Sequence, residues 1–280
     1  MKPRSIVFDL FGDYLRYRAG EAPLREVIAL LEQFGVRPAT ARVVMSRLRN
    51  EGWFDTRPGT DGREVVYALN ERSWRMLDEG RERIFADLRS EWDGWWHMVI
   101  YYVPKPARAL RDDLRRELAW LGFGPLAAAT WVSPCDRLTQ VEDRFSKHEE
   151  IRLDLLRARS KGLSADRDMA ERCWDLEGLN ADYDAFVRRH SEQLPRYRSG
   201  GMSPSESLVE RTRLLQEWRR FPFRDPGLPT ELLPARWKGY DAYDLFVEAA
   251  ARLRPGAEQA IDEVTSRRTD SDDDFSVSKS

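Results

Sequence analysis

The sequence predicts an α+β protein, and three observations support this fold class. The first 72 residues show three helix-like apolar periods followed by two short apolar segments around a turn. Segments typical of strands and helices alternate from residue 92 to residue 164. The chain from residue 165 to residue 266 then has mostly helical periods. We therefore expect a helix-and-hairpin domain, an α/β domain and a helical domain, in that order.

The composition indicates a folded chain without a global charge signature. Of the 280 residues, 41% are hydrophobic, including 10 Trp, 9 Tyr and 12 Phe, and such a chain can bury at least one core. The net charge is only -2, so any nucleic-acid site must be a local basic patch. Cys135 and Cys173 lack the spacing of metal ligands, and we expect free thiols in a reducing cytoplasm.

The N-terminus does not resemble a targeting segment. Asp9 and Asp13 interrupt its apolar stretch, which is unlike the apolar region of a signal peptide. No apolar run approaches the ~20 residues that span a bilayer. We therefore expect a cytoplasmic protein without a membrane partner.

The N-terminal elements are three helices and a hairpin. Helical periods cover residues 5–17, "PLREVIALLEQFG" and "RPATARVVMSRLRN", with Pro23 suited to a first turn and Gly35 to a helix end. The apolar segments "WFDTR" and "REVVYAL" flank the turn sequence "PGTDG". This order is typical of a winged helix-turn-helix, which we place at residues 1–72. Residues 73–91 are expected to form a connector helix.

The middle segment, residues 92–164, is expected to be a small ferredoxin-like domain. The strand-like stretches "WWHMVIYYVP", "PLAAATWVSP" and "IRLDLLRAR" alternate with the amphipathic stretches "ARALRDDLRRELAWLG" and "CDRLTQVEDRF". This βαβαβ order favours a small α/β domain.

Residues 165–266 are expected to form a helical C-terminal domain. "MAERCWDLEGLNADYDAFVRRH" and "SLVERTRLLQEWRRF" have helical stripes, and "PRYRSGGMSPSES" between them is expected to be a loop. "FPFRDPGLPTELLP" has too many prolines for regular structure. The polar, acidic tail at residues 267–280 is expected to be disordered.

The third helix has two chemically different faces. At ~100° per residue, Ala41, Val44, Met45 and Leu48 share one side and suit a core. The opposite side has small residues at its centre and arginines at its margins. Small side chains let a helix approach base edges, and arginine reaches guanine or phosphate.

We therefore regard this helix and the hairpin as a candidate DNA-binding surface. Its alternative is an ordinary amphipathic helix with a solvated basic side, next to a solvated turn. The candidate DNA-contacting residues are Thr40, Arg42, Val43, Ser46, Arg47 and Arg49 on the helix, and Arg57 and Arg63 on the hairpin.

Five segments in order carry a family resemblance that runs from Ser5 to Val264. They are "SIVFDLFGDYLRYR", "RPATARVVMSRLRNEGWF", "LRRELAWLGFGPLAAATWVSP", "CWDLEGLNADYDAF" and "WRRFPFRDPGLPTELLP". Together they resemble the PaaX family of bacterial repressors. The resemblance implies a winged helix-turn-helix, a middle domain like the small ferredoxin-fold CRISPR adaptation nuclease, and a helical C-terminal domain. It also implies a homodimer, operator DNA, and release by an acyl-CoA effector such as phenylacetyl-CoA, in phenylacetate catabolism.

Two features depart from the expected pattern. Arg37 and Pro38 stand where a Ser or Thr would cap the recognition helix, although proline is acceptable at a first helical position. The first strand of the middle domain, "VIYYVPKP", lacks the acidic metal ligand of its CRISPR relatives. We therefore expect a non-catalytic middle domain, with no metal and no cofactor.

The effector site is predicted from aromatic residues next to arginines. An aryl-acyl-CoA needs an apolar slot and cations for its phosphates. The alternative is that the tryptophans are core residues. The candidate effector-binding residues are Trp174, Trp218, Arg219 and Arg220.

Two other classes of function stay open on the sequence alone. One is a metal-dependent nuclease built on the middle domain, although His97, His148 and His190 are far apart in the chain. The other is an adaptor that uses the winged helix to bind a partner protein. The favoured interpretation is a DNA-binding transcriptional regulator.

Overall fold

The N-terminal part of the chain contains four helices and a small antiparallel sheet. The computed structural model describes residues 1–59, 64–87, 89 and 91–273, and of residues 266–273 it describes the backbone alone. The helices are α1 (Pro3–Asp13), α2 (Leu24–Glu32), α3 (Pro38–Asn50) and α4 (Glu71–Ile84). The strands are β1 (Glu21–Pro23), β2 (Phe54–Pro58) and β3 (Val65–Leu69), in the sheet order β1-β3-β2. Leu15–Tyr17 form a 3₁₀ turn after α1.

This region contains one element that the sequence did not indicate. Strand β1 is antiparallel to β3, with Glu21 opposite Ala68 and Pro23 opposite Val66. Pro23 therefore ends a strand and precedes α2, whereas we expected it inside the first helical turn. The expected connector helix is α4, whose first turn is capped by the side chain of Asn70.

The second sheet has four antiparallel strands, and two helices connect strands of this sheet. The strands are β4 (Trp96–Tyr102), β5 (Gly124–Ala127), β6 (Thr130–Ser133) and β7 (Arg152–Ala158), in the order β5-β6-β4-β7. The helices are α5 (Arg108–Trp120), after β4, and α6 (Leu138–Phe145), after β6. The expected single strand in "PLAAATWVSP" is wrong, because Ala128 and Ala129 turn the chain and make it a hairpin.

The last part of the chain is mainly helical. Its helices are α7 (Leu163–Cys173), α8 (Leu176–Ser199), α9 (Pro204–Trp218) and α10 (Gly239–Asp273). Between α9 and α10 the chain is irregular except for a 3₁₀ turn at Thr230–Leu232, as its prolines predicted.

One expectation for this part is wrong. Most of "PRYRSGGMSPSES" is helical, since α8 continues through Pro195 to Ser199 and α9 starts at Pro204. Helix α10 reaches Asp273, and the remainder of the tail at residues 267–280, residues 274–280, lies outside the described residues.

The chain divides into two compact units that are discontinuous in sequence. The first unit contains residues 1–86, 191–218 and the described residues from 245 onward. The second contains residues 87–190 and 219–244. Residues 165–266, the expected C-terminal domain, contribute to both units.

The first unit has a core shared by the N-terminal helices and the late helices. Leu208 of α9 and Ala257, Ala260 and Ile261 of α10 are buried in the same cluster as Leu10 of α1. Other buried members of this cluster from the N-terminal elements are Val27, Leu31, Ala41, Met45, Leu48, Phe54 and Tyr67.

A buried polar group also joins α1 to α9. The Arg211 guanidinium donates a hydrogen bond of 2.8 Å from Nη1 to the Tyr14 hydroxyl and one of 3.3 Å from Nε to the Ala250 carbonyl. Its Nη1 lies 3.9 Å from Oδ2 of Asp13, and Arg81 Nη1 lies 3.8 Å from Oδ1 of the same carboxylate. Burial nevertheless raises the pKa of Asp13, and burial raises the pKa of Tyr14 to about 12.

The second unit packs hydrophobic clusters against its sheet. One cluster contains Val99 and Tyr101 of β4 with Leu114 and Leu118 of α5 and Val141 of α6. The neighbouring residues Trp96 and Met98 belong to another cluster, which includes Ala170 of α7 and Leu228. Such alternation is expected for a strand that is covered on both faces.

Candidate nucleic-acid interface

Helix α3 presents one buried face and one open face. Ala41, Met45 and Leu48 are fully buried in the core of the first unit, and Val44 packs against its edge. Val43, in contrast, is 66% exposed. Single exposed apolar residues are common on protein surfaces, so Val43 points to a ligand only in combination with the arginines that surround it.

The side chains around Val43 are polar and accessible. Thr40, Arg42, Arg47 and Arg49 are exposed, and Ser46 is half-buried. The structure therefore brings the six predicted helix residues onto the side of α3 that faces away from the core.

The arginines of this face differ in how they are paired. Arg42 makes no hydrogen bond or ion pair with any residue that the structure describes. Arg47 has its Nε 3.8 Å from Oε1 of Glu51, and Arg49 donates a hydrogen bond of 3.3 Å to Asn50. Because these are single, solvated contacts, they hold the guanidinium groups weakly.

The N-terminal end of α3 is weakly capped, as expected. Arg37 occupies the N-cap with φ −65° and ψ 146°, and its side chain accepts no hydrogen bond from the helix. Pro38 follows at the first helical position, where its missing N–H is tolerated.

The C-terminal end of α3 is held by arginines that the sequence analysis did not single out. Arg4 of α1 forms an ion pair with Glu51, and Arg72 of α4 donates a hydrogen bond of 3.3 Å to the Glu51 carbonyl. The Arg72 guanidinium also lies 3.9 Å from the ring centroid of Trp53. The hydrogen bond from Arg4 lowers the pKa of Glu51. No local motif signals these contacts, because their partners are distant in sequence.

Arg57 of the hairpin is engaged by an acidic residue of the neighbouring strand. Its Nε donates a hydrogen bond of 3.1 Å to Oε2 of Glu21, and its Nη2 donates to Oε1 of the same carboxylate. This bidentate hydrogen bonding raises the pKa of Arg57. The other hairpin residue that we predicted, Arg63, lies outside the described residues.

A second acidic residue, Glu64, attaches the hairpin to α2. Glu64, just before β3, accepts a hydrogen bond of 3.3 Å from the backbone N–H of Arg25 in the first turn of α2. Its other oxygen lies 3.4 Å from the Nε of Arg25. The carboxylate thus satisfies one of the N–H groups that the start of a helix leaves unpaired.

The predicted effector residues occupy different environments. Trp218, in the first unit, is buried, donates its indole N–H to the Ile84 carbonyl at 2.9 Å and stacks on Phe246 with ring centroids 4.6 Å apart. Trp174, in the second unit, is half-buried and stacks on Trp96 with centroids 6.4 Å apart. Trp218 therefore has the contacts of a core residue.

The two arginines beside Trp218 in sequence also differ from each other. Burial lowers the pKa of Arg219, whereas the Arg220 side chain is exposed. Both belong to the second unit, whereas Trp218 belongs to the first.

Two further features of the described residues bear on other functions. Within the described ranges, no group of three or more His, Cys, Asp or Glu side chains is arranged to hold a metal ion. Helices that are long and apolar enough to cross a bilayer are likewise missing from the part of the chain that the structure describes. His97 is buried in strand β4, as expected of a packed histidine.

Comparison with family models identifies the family to which the chain belongs. Three models match in succession: the PaaX-like protein model at residues 2–73, the PaaX protein central Cas2-like domain at residues 89–170, and the PaaX-like protein C-terminal domain at residues 174–263. The chain belongs to the PaaX family. The resemblance found in the sequence is thereby confirmed.

A curated PaaX protein and one solved structure are similar over almost the whole chain. The transcriptional repressor PaaX of Escherichia coli strain K12 is 30% identical over 266 residues, which cover 90% of this chain and 81% of the relative. The uncharacterized protein Rv0674 from Mycobacterium tuberculosis matches with a TM-score of 0.61 and 24% identity, over 94% of this chain and 99% of that one. The second match supports the fold alone.

Proposed function

We propose that this PaaX-family chain is a DNA-binding transcriptional repressor that reads its operator with α3. The position of Val43 carries the proposal, since it is an exposed apolar residue at the centre of an arginine-flanked helix face whose back is buried. Such a face can lie in the major groove, where a valine methyl contacts a thymine methyl and arginines reach guanine or phosphate. The repressor function named for the Escherichia coli relative supports the same conclusion.

The elements around α3 support a winged helix-turn-helix. Helices α1, α2 and α3 precede the antiparallel strands β2 and β3, and β1 completes the sheet. In this arrangement α3 is the recognition helix and the β2–β3 hairpin is the wing. The proposed contacts are Thr40, Arg42, Val43, Ser46, Arg47, Arg49, Arg57 and Arg63.

The middle domain is proposed to be ferredoxin-like and non-catalytic. Its chain order is strand, helix, strand, strand, helix, strand, and its sheet order is β5-β6-β4-β7 with antiparallel neighbours. A split βαβ arrangement of this kind supports the ferredoxin-like assignment. The protein would then be a regulator rather than an enzyme.

We further propose a cytoplasmic homodimer that leaves its operator when a small effector binds. Two-fold symmetry places two recognition helices in successive major grooves, ~34–36 Å apart, on a roughly palindromic site. The effector class suggested by the family resemblance is an acyl-CoA such as phenylacetyl-CoA. Binding of the effector would favour a geometry in which that spacing fails.

The DNA-binding proposal is tested with alanine variants of Arg42 and Arg47. Gel-shift titration uses a duplex from upstream of the protein's own gene and a random-sequence duplex of equal length. We expect wild type to prefer the upstream duplex, and each variant to lose binding free energy by ~1–3 kcal/mol if its arginine contacts guanine. An arginine that contacts phosphate instead weakens binding to both duplexes and flattens the salt dependence.

The matched control is Arg108→Ala. Arg108 is an exposed helical arginine in the second unit with one weak ion pair, to Asp112 at 3.8 Å. Its loss removes the same charge without altering α3, so binding should equal that of wild type. If the Arg42 and Arg47 variants also bind like wild type, the assignment of α3 to the groove is wrong.

A further inference from the structure

Glu21 is placed to control the proposed DNA contact of Arg57. Glu21 in β1 lies opposite Ala68 of β3, and Arg57 in β2 lies opposite Val66 of the same strand. Alternate residues of a strand point to the same face, so the side chains of Glu21 and Arg57 share one face of the sheet and meet diagonally across β3. The carboxylate accepts hydrogen bonds from both Nε and Nη2 of Arg57.

This contact uses the groups with which Arg57 would bind a phosphate. A guanidinium binds a carboxylate and a phosphate with the same pair of parallel N–H donors. The third nitrogen, Nη1, donates at 3.4 Å to the carbonyl of Pro58. Arg57 can therefore bind DNA through its Nε and Nη2 edge only if the phosphate displaces Glu21.

The contact is accessible enough for such an exchange. The Arg57 side chain is 53% exposed and that of Glu21 is 29% exposed. An ion pair in water is weak, so a phosphate that approaches within a DNA complex can replace it. A buried pair would lack this property, because separating it leaves an uncompensated charge.

The hairpin does not depend on Glu21 alone for its position. Glu64 attaches the start of β3 to Arg25 through a backbone hydrogen bond and an ion pair. The backbone pairing of β3 with both β1 and β2 fixes the strands themselves. Neutralising Glu21 therefore releases the Arg57 side chain while the hairpin stays in place.

We propose that Glu21 is an intramolecular competitor of the DNA backbone, which lowers the affinity of the repressor by occupying Arg57 until a phosphate displaces it. This inference rests on the proposed DNA-binding function and adds a regulatory residue that makes no DNA contact. Its effect is on the sequence-independent part of binding, since phosphate contacts carry no base information. Glu21 would thus lower the affinity for operator and non-operator DNA by the same factor.

The experiment compares Glu21→Gln with wild type in gel-shift titrations over a range of salt concentrations. Glutamine keeps the size of the side chain and removes the charge. We expect Glu21→Gln to bind a random-sequence duplex about two- to fivefold more tightly, the range that corresponds to a solvent-exposed ion pair. The slope of log affinity against log salt should stay close to that of wild type, because Arg57 contacts one phosphate in both complexes.

Two further variants make the test specific. Glu32→Gln removes the same charge from an exposed site on α2 at which no side-chain partner is described, and its affinity should match wild type. Glu21→Gln combined with Arg57→Ala should bind no more tightly than Arg57→Ala alone, because the gain requires the released guanidinium. Circular dichroism and urea unfolding of each variant establish that the fold is retained.

The outcomes separate this inference from the proposed function. If wild type binds neither the upstream duplex nor the random duplex, the DNA-binding function itself is wrong. If wild type binds DNA but Glu21→Gln binds like Glu32→Gln, or more weakly than wild type, the competitor role of Glu21 is overturned. A gain that persists without Arg57 overturns it as well.

Discussion

Adjacent residues of α3 lie in opposite environments. A single side chain of this helix therefore serves either the folded core or the proposed DNA contact. Val43 is largely exposed, whereas Val44 packs against the core and Met45 is fully buried. A substitution at Val43 should therefore change binding, and one at Met45 should change the free energy of unfolding.

The variants Val43→Ala and Met45→Ala test this separation. Met45→Ala leaves a cavity in the shared core of the first unit and should lower the free energy of unfolding by ~2–5 kcal/mol. Val43→Ala should alter it by less than ~0.5 kcal/mol, as is usual for surface substitutions, while reducing the preference for operator over random DNA. Urea unfolding and gel-shift competition measure the two quantities. A Val43→Ala variant that unfolds like Met45→Ala would contradict the assignment of the open face.

The open face of α3 could be predicted from spacing, but the pairing of Arg57 on the hairpin with Glu21 could not. A period of 3.6 residues suffices to divide Ala41 and Met45 from Arg42 and Val43. The engagement of Arg57 by Glu21 joins residues 36 positions apart, and only the sheet order β1-β3-β2 brings them together. The hydrogen bond from Trp218 to the Ile84 carbonyl also joins residues that are distant in sequence, so the local pattern around residue 218 did not reveal it.

At the level of elements, the N-terminal end of α3 is the clearest place at which a substitution should raise the free energy of unfolding. Arg37 leaves the first turn of the helix without a side-chain acceptor. Arg37→Ser would supply one for the backbone N–H of Thr40, three residues further on. We expect this variant to raise the free energy of unfolding by about 0.5–1 kcal/mol, the size of a typical N-cap contribution.

Urea unfolding checks this effect, and Arg49→Ser in the last turn is the control. The control also replaces an exposed arginine with serine but offers no acceptor to the first turn of α3. If Arg37→Ser and Arg49→Ser change the unfolding midpoint equally, the cap does not account for the gain.

The elements that the sequence failed to predict share a physical cause, which is that tertiary contacts override weak local signals. Strand β1 has only three residues and ends in Pro23, so nothing local indicates a strand. The hairpin β5–β6 turns at Ala128 and Ala129, without the Gly or Asn that favours tight turns. Helix α8 continues through Pro195, where a proline normally marks a helix end. The long amphipathic helices, in contrast, could be predicted because their apolar stripes repeat over several turns.

On the scale of the whole molecule, the proposed DNA-binding elements and the last helices share one compact unit. Arg211 of α9 contacts Tyr14 and lies beside Asp13, at the end of α1. Removing the guanidinium leaves the Asp13 carboxylate in a buried site with one fewer cation. Because a buried charge without its partner is costly, Arg211→Met should lower the free energy of unfolding by ~3–5 kcal/mol.

This destabilisation should depend on pH in a defined direction. Burial already raises the pKa of Asp13, and the loss of Arg211 raises it further. Above its unfolded pKa the folded state then holds a proton that the unfolded state releases, so stability falls as the pH rises through the folded value. The difference between wild type and Arg211→Met should therefore be larger at slightly basic pH than at acidic pH.

Urea unfolding of both proteins across this pH range measures the difference. A variant whose loss of stability is the same at all pH values would show that Asp13 keeps its charge without Arg211. Arg213→Met on the same helix is the control, since Arg213 is exposed and pairs with Glu210 alone among the described acidic residues.

The shared core also determines when the first unit reaches its full stability during synthesis. Met45 and Leu48 leave the ribosome early, but Ala257 and Ile261, which are buried in the same cluster, are made more than two hundred residues later. Chains are completed at about 5–20 residues per second, so the N-terminal helices spend many seconds without part of their core. A chain built in this way reaches its full stability only when translation is nearly finished.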